Sequence, residues 1–297
     1  MEWMESNNAA QAIMRRIEKE NAADTIWIVL EPSSTGAPGE GEDADVLFLV
    51  NTNSTAHYRS IKNYSAEGQR IQERWISQQE IENALATGHP QRLVQWVERG
   101  GIHMDVESVG EKLRDNWKTF PGKYRSQQLL TEFSQVVQKF HATKRFMDTG
   151  YTLDAFSCML NTMVHWARIV IIEKGMHPEI LVWEQVRHYN VGVYKLYEEL
   201  LTSSETIDQR VKLVLLAAEF SMMSKMKNSC ELLLNVLASR EEPWSIDEIA
   251  NHEDLVTIQA DWSLLLTRLA KRNMVREVNV FLTDDVEITE TRYLKGA

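Results

Sequence analysis

Asp43 and Asp45 stand at i and i+2 in the run Gly41-Glu42-Asp43-Ala44-Asp45-Val46-Leu47-Phe48-Leu49-Val50, where an apolar strand begins. Side chains alternate along a strand, so both carboxylates are aimed the same way. Two such acids repel each other, and a divalent cation, usually Mg²⁺ with its preference for oxygen ligands, relieves the repulsion. Phosphoryl- and nucleotidyl-transfer sites are built on this arrangement. A solvated acidic turn leading into a core strand has the same spacing.

The elements around the pair form a small α/β domain over residues 1–120. Ala9 to Ala22 has helical spacing, with Ile13 and Ile17 on one face, and Thr25 to Leu30 is the near-continuous apolar run of a buried strand. Turn residues fill Glu31 to Gly41, with Ser33 and Ser34 directly after Pro32. Val46 to Val50 is a second buried strand. His57 to Lys62 and Gln69 to Ile76 read as a hairpin that turns within residues 63–68, which favours a mixed or antiparallel sheet. Ser77-Gln78-Gln79-Glu80 is a capping box opening a helix to about Thr87. A further helix from Gln91 to Arg99 stops at Gly100-Gly101, and Ile102-His103-Met104 returns as a short strand.

Long helices follow over residues 121–240, near 124–147, 152–174, 179–201 and 206–239, with apolar residues at i, i+3, i+4 and i+7. Short breaks at Gly150, at Gly175-Met176-His177-Pro178 and at Thr202-Ser203-Ser204 join them as an antiparallel bundle. Trp166, Trp183, Tyr194, Tyr197 and the Met222-Met223 pair are expected in its core. His165 and Arg168 lie at i and i+3 on one helix face and could point at a cleft between domains. A buried, hydrogen-bonded His beside a surface Arg is the other reading.

The third segment, residues 241–297, opens with Glu241-Glu242-Pro243. A short helix from Trp244 to Ile249, a second from Asp261 to Lys271, and strands Val275 to Phe281 and Val286 to Tyr293 around Thr283-Asp284-Asp285 suggest a winged helix. Arg268, Lys271 and Arg272 would face a DNA groove, but Asp261, Asp284, Asp285, Glu287 and Glu290 would oppose phosphate. Residues 244–297 hold 6 Lys+Arg against 10 Asp+Glu, so DNA is not expected to bind strongly, and packing within the chain or across a homodimer is the expected use.

The whole chain of 297 residues carries a net charge of -11, with no basic segment to attract nucleic acid by default. Cys158 and Cys230 are far apart and give neither a disulfide framework nor a metal-ligand spacing, which points to a reducing cytoplasm. Met1 to Lys19 has no apolar signal core, and no stretch approaches the roughly 18 apolar residues of a membrane span.

The order of a sheet with a double-Asp strand, a bundle containing Ala155 to His188 and a C-terminal winged unit resembles the bacterial nucleotidyltransferase-like proteins. Its most characteristic part runs from His165 to Glu179 and on through Trp183-Glu184-Gln185-Val186-Arg187-His188. The resemblance covers nearly the whole chain. It implies an α+β multidomain fold: a small mixed sheet of polymerase-β-like topology, an all-α bundle of substrate-binding type, and a winged helix-turn-helix. In the wider superfamily a Gly-Ser pair holds the triphosphate, a D-x-D pair follows on the next strand, and a third acid sits on a later strand. Asp43 and Asp45 match the pair. Pro32-Ser33-Ser34 stands where Gly-Ser is expected, and a Pro ring hinders close backbone approach to phosphate.

By that resemblance Asp43 and Asp45 bind Mg²⁺, Glu73 completes the cage or acts as base, Ser33 or Ser34 contacts the β- or γ-phosphate, and His165 and Arg168 contact substrate. The implied activity moves a nucleoside monophosphate from an Mg²⁺-bound nucleoside triphosphate to a small-molecule acceptor between sheet and bundle. The alternative is a catalytically decayed nucleotide sensor or adaptor with a winged interaction module.

Overall fold

A computed structural model describes residues 7–21, 25–32, 45–52, 60–120, 122–281 and 289–296. They divide into two compact units, Met1–Pro121 and Gly122–Ala297.

In the first unit, α1 (Asn8–Asn21) precedes strands β1 (Thr25–Pro32), β2 (Val46–Thr52), β3 (Ile61–Ala66) and β4 (Gln69–Ser77). Helices α2 (Gln78–Thr87) and α3 (Gln91–Arg99), strand β5 (Gly101–Asp105) and helix α4 (Val109–Thr119) complete it. The sheet runs in the order β3-β4-β2-β1-β5, with β2 and β4 parallel and the other pairs antiparallel. It is therefore the mixed sheet expected from short connections. All seven residues of β2 are buried, because helices cover both faces. One face carries Ile28, Val46, Phe48, Val50, Ile71 and Trp75 under Ala9, Ala10, Met14 and Ile17 of α1. On the other face α3 and α4 pack against β1. A side chain at Gly110 would come within 3.1 Å of the Trp27 ring, so a glycine there lets α4 lie against that ring without crowding it.

Two local expectations need correction. The β3–β4 turn is the pair Glu67-Gly68, both at positive φ, and residues 63–66 belong to the strand. That is the backbone of a two-residue hairpin turn, carried by Glu-Gly where Asn-Gly is the commoner signal. Helix α4 was not anticipated. Its polar positions outnumber its apolar ones, and only Gly110, Leu113, Arg114 and Trp117 are buried. The capping box at Ser77 and Glu80 is formed as expected.

The second unit is built on the antiparallel pair α5 (Gly122–Asp148) and α6 (Thr152–Glu173), followed by α7 (Val182–Tyr189), α8 (Val191–Thr202), α9 (Ile207–Ser229) and α10 (Glu231–Leu237). Arg125 closes the C-terminus of α6, donating from Nε to Ile172 O at 3.1 Å and from Nη2 to Glu173 O at 2.8 Å. The expected helix over 179–201 is two helices, because Asn190 leaves helical geometry at φ -152°, ψ 81° and its side chain accepts from Val193 N to start α8. The expected helix over 206–239 likewise breaks at Cys230. Trp183, Tyr194 and Tyr197 are half-buried, and Met223 is exposed while Met222 is core. Trp183 and Tyr197 stack on each other with centroids 3.7 Å apart, which satisfies their faces without deep burial. One further correction concerns the membrane criterion: α6 is long and apolar enough to span a bilayer by length and composition, with 56% of its most apolar window buried in the chain.

The C-terminal segment holds α11 (Ile246–Ala250), α12 (Trp262–Ala270) and the antiparallel strands β6 (Val275–Phe281) and β7 (Thr289–Lys295). Trp244 forms an antiparallel bridge to Tyr293, on the edge of β7 away from Glu277 of β6. Residues Thr283-Asp284-Asp285 lie outside the described residues. Ser245 and Glu248 form a capping box at α11, and Arg240 pairs with Glu248 at 2.8 Å while lying 3.7 Å over the Trp244 ring. The Arg240 hydrogen bond, with help from the Ser245 backbone N–H, holds the Glu248 carboxyl down to about 2. Gln127 donates to Asp254 O at 3.1 Å and Lys123 pairs with the Asp254 carboxylate at 2.9 Å, tying this segment to α5.

Candidate functional site

Asp45 is exposed at the mouth of β2. Its backbone N–H donates to Arg70 O at 2.6 Å, and its Oδ2 accepts from Arg70 N at 2.7 Å. One carboxylate oxygen thus caps the open end of the β2–β4 ladder. Asp43, Ser33 and Ser34 lie outside the described residues.

Glu73 is fully buried on β4. The hydroxyl of Tyr64 donates to its Oε2 at 3.0 Å, Trp75 Nε1 donates to Oε1 at 2.7 Å, and Lys62 lies 3.3 Å from Oε1. Arg16 of α1 forms an ion pair with the same carboxylate and donates to the Tyr64 hydroxyl at 2.7 Å. Two cations and two neutral donors therefore occupy this acid. Burial, followed by the Glu73 charge, raises the Tyr64 pKa against the lowering effect of Arg16.

The structure does not bring Glu73 and Asp45 together. In the parallel β2–β4 register Val46 aligns with Ile71 and Phe48 with Glu73, so Glu73 points to the α1 face with Ile71 and Trp75. Asp45 runs alongside Arg70, one residue out of phase. The β4 residues on its side are Gln72 and Arg74, and the Arg74 guanidinium lies 5.2 Å from the Trp96 ring of α3. Of the acids expected to hold Mg²⁺, Asp45 is the one that the described residues leave at the sheet end. Among the described residues no group of three or more His, Cys, Asp and Glu is placed to hold a metal ion.

In the second unit His165 and Arg168 do share a face of α6, and both turn to Glu132 on α5. His165 Nδ1 lies 2.6 Å from Glu132 Oε2, and Arg168 Nη1 lies 3.5 Å from Oε1. The Glu132 side chain is 3% exposed against 17% and 15% for its partners, so the carboxylate anchors from below while the two basic groups reach the surface. With Nδ1 engaged by the carboxylate, Nε2 is the His165 nitrogen directed elsewhere. Sequence reading missed Glu132, although an acid between Leu129 and Phe133 on an apolar helix face was a signal for a buried pair.

A nucleotidyltransferase-like family model matches residues 7–125, and a model for a YgxA-like substrate binding domain matches residues 126–225. The sheet unit is thus similar to the nucleotidyltransferase-like family, and the start of the helical unit to the YgxA-like substrate binding domain. A relative from Bacillus subtilis (strain 168), described as uncharacterized protein YgxA, is 26% identical over 265 residues, which is 89% of this chain and 90% of that one. The crystal structure of a nucleotidyltransferase-like protein from Exiguobacterium sibiricum 255-15 matches with a TM-score of 0.85 at 27% identity, covering 97% of this chain and 99% of its own.

Proposed function

We propose that this protein is a nucleotide sensor or adaptor built on a nucleotidyltransferase-like fold, working in the cytoplasm without nucleotidyl transfer. The observation that carries this reading is Glu73: the acid on the strand where a third metal ligand is expected is spent on Arg16, Lys62, Tyr64 and Trp75, on the sheet face opposite to Asp45. Asp43 and Asp45 are the residues that would meet a nucleotide-borne Mg²⁺, and Ser33 and Ser34 those that would meet its phosphates. The C-terminal helices and hairpin serve in this reading as a winged interaction module.

The match of residues 126–225 to a substrate-binding family favours a second reading. In it a small acceptor rests on His165 and Arg168 and receives a nucleoside monophosphate. Isothermal titration of ATP, GTP, CTP and UTP with and without Mg²⁺, paired with a pyrophosphate-release assay, separates the two. Mg²⁺-dependent binding without pyrophosphate release is expected. Sustained release with a labelled small molecule as product would overturn the sensor reading in favour of the transferase.

A further inference from the structure

The sheet face that carries Asp45 is covered only in part. Helices α3 and α4 pack against β1, at one side of that face. Over β3 and β4 the residues on it are Ile61, Asn63, Ser65 and Arg70, which are exposed, and the half-buried Gln72 and Arg74. The antiparallel register sets Ile61 beside Arg74, Asn63 beside Gln72 and Ser65 beside Arg70, so these side chains leave the sheet on one side. Gln72 Nε2 donates to Asn63 Oδ1 at 2.9 Å, and Arg74 Nε donates to Gln72 Oε1. The strip is polar, whereas on the α1 face of the same strand Ile71 and Trp75 are core.

Cations gather along this strip. The Arg74 guanidinium lies 5.2 Å from the centroid of the Trp96 ring, and that of Arg92, one helical turn before Trp96 on α3, lies 5.6 Å from the same ring. Trp96 is itself buried, so one fixed indole holds two guanidiniums near each other. Like charges in one place repel, and an anion between them reverses the sign of that interaction. Residues 1–120 hold 12 Lys+Arg against 19 Asp+Glu, which makes a basic strip a local exception in an acidic unit. A guanidinium presents five N–H donors in a planar fork that matches phosphate oxygens in pairs, and the Arg74 bond to Gln72 is compatible with that use.

We propose that Arg74 and Arg92 form a polyphosphate site on this face and receive the triphosphate of a nucleoside triphosphate. The proposal rests on the nucleotide reading above and adds side-chain contacts where Pro32 hinders backbone approach to phosphate. Arg74 stands four positions along β4 from Arg70, whose N–H is bonded to Asp45, a separation of about 13 Å. Asp45 and the two arginines therefore address opposite ends of one extended ligand.

Isothermal titration of the full chain with ATP, GTP, CTP and UTP and, separately, with inorganic tripolyphosphate tests this, each with Mg²⁺ at about 150 mM salt to screen non-specific attraction. Arg74→Gln and, independently, Arg92→Gln should each weaken nucleotide and tripolyphosphate at least about tenfold, the loss expected for a charge-assisted hydrogen bond. Arg99→Gln, exposed at the end of the same helix as Arg92, should bind as the wild type does. Circular dichroism checks folding, and two variants are used so that misfolding of one leaves the other to decide. Unchanged affinity in both folded variants would overturn the arginine site and leave the nucleotide reading standing. Tripolyphosphate binding that needs both arginines, with no nucleotide bound, would uphold the site and remove the nucleotide reading. A wild type that binds neither kind of ligand would overturn both.

Discussion

The guanidinium of Arg16 reaches from α1 to the carboxylate of Glu73, inside the layer where Ile17 and Met14 meet Phe48 and Trp75. The first helix is thereby fixed to the sheet by a charge as well as by an apolar face. Because Tyr64 and Trp75 donate to the same carboxylate, removing the acid strands several donors at once.

Glu73→Gln is expected to destabilise the first unit by about 2 kcal/mol, since Gln keeps one acceptor oxygen but leaves Arg16 and Lys62 without a counter-charge. Urea denaturation followed by tryptophan fluorescence measures it. Nucleotide affinity of the folded variant should not change. Lost Mg²⁺-nucleotide binding at full stability would return Glu73 to the site.

At Asp45 the two roles of the carboxylate separate by substitution. Asn retains an oxygen for the Arg70 N–H, so Asp45→Asn should melt within about 0.5 kcal/mol of wild type, whereas Asp45→Ala should lose about 1 kcal/mol. Titration with Mg²⁺-ATP should show at least a tenfold loss for Asn. Equal affinity in Asn and wild type would remove Asp45 from any metal site.

Glu132→Ala leaves Arg168 and His165 facing an apolar helix and should cost about 3 kcal/mol, close to the range for breaking a buried pair. Glu132→Gln should cost less than half as much. Thermal melts of both variants give the order, and equal melting of Glu132→Ala and wild type would show that the pair anchors nothing.

The Glu248 carboxyl, lowered to about 2 by Arg240, makes a pH-dependent contribution. A depressed folded-state value stabilises above the unfolded value of 4.5, and the gain is lost as pH falls from there toward 2. The side chain is 40% exposed, so solvent screening holds the effect below about 1 kcal/mol. Glu248→Gln keeps the capping box and removes the charge. Its melting temperature should lie slightly below wild type at pH 7 and converge with it near pH 2, and a constant offset over that range would contradict the assignment.

For residues 244–297, with 6 basic against 10 acidic residues, duplex DNA should bind no tighter than about 10⁻⁴ to 10⁻⁶ M at physiological salt. A gel shift with a nanomolar sequence-selective complex would reverse this.

Much of the fold was legible because burial writes itself into period. The continuous apolar run of β2 announced a strand covered on both faces, and Ser77-x-x-Glu80 announced the start of α2. Helix α4 was hidden because its inner face is a glycine, a leucine, an arginine and a tryptophan, with Arg114 turned to the carbonyls of Val97 and Gly100. The break at Asn190 was hidden because a capping Asn leaves the flanking apolar period intact. At the site, acid spacing located Asp45 but could not reveal that Glu73 lies out of phase with it, since that depends on which residues of β2 and β4 stand side by side. His165 and Arg168 were found together, while their shared partner Glu132 lies 33 positions away from His165 on another helix.

Strand β2 has a hydrogen-bonded neighbour along each edge, β4 and β1, and no exposed residue along its length. Its amides cannot meet solvent by fraying of a margin. They reach deuterium only when the surrounding unit comes apart as a whole. The slowest exchanging protons between Val46 and Thr52 are therefore a built-in gauge of the opening free energy of the entire first unit, readable without any denaturant.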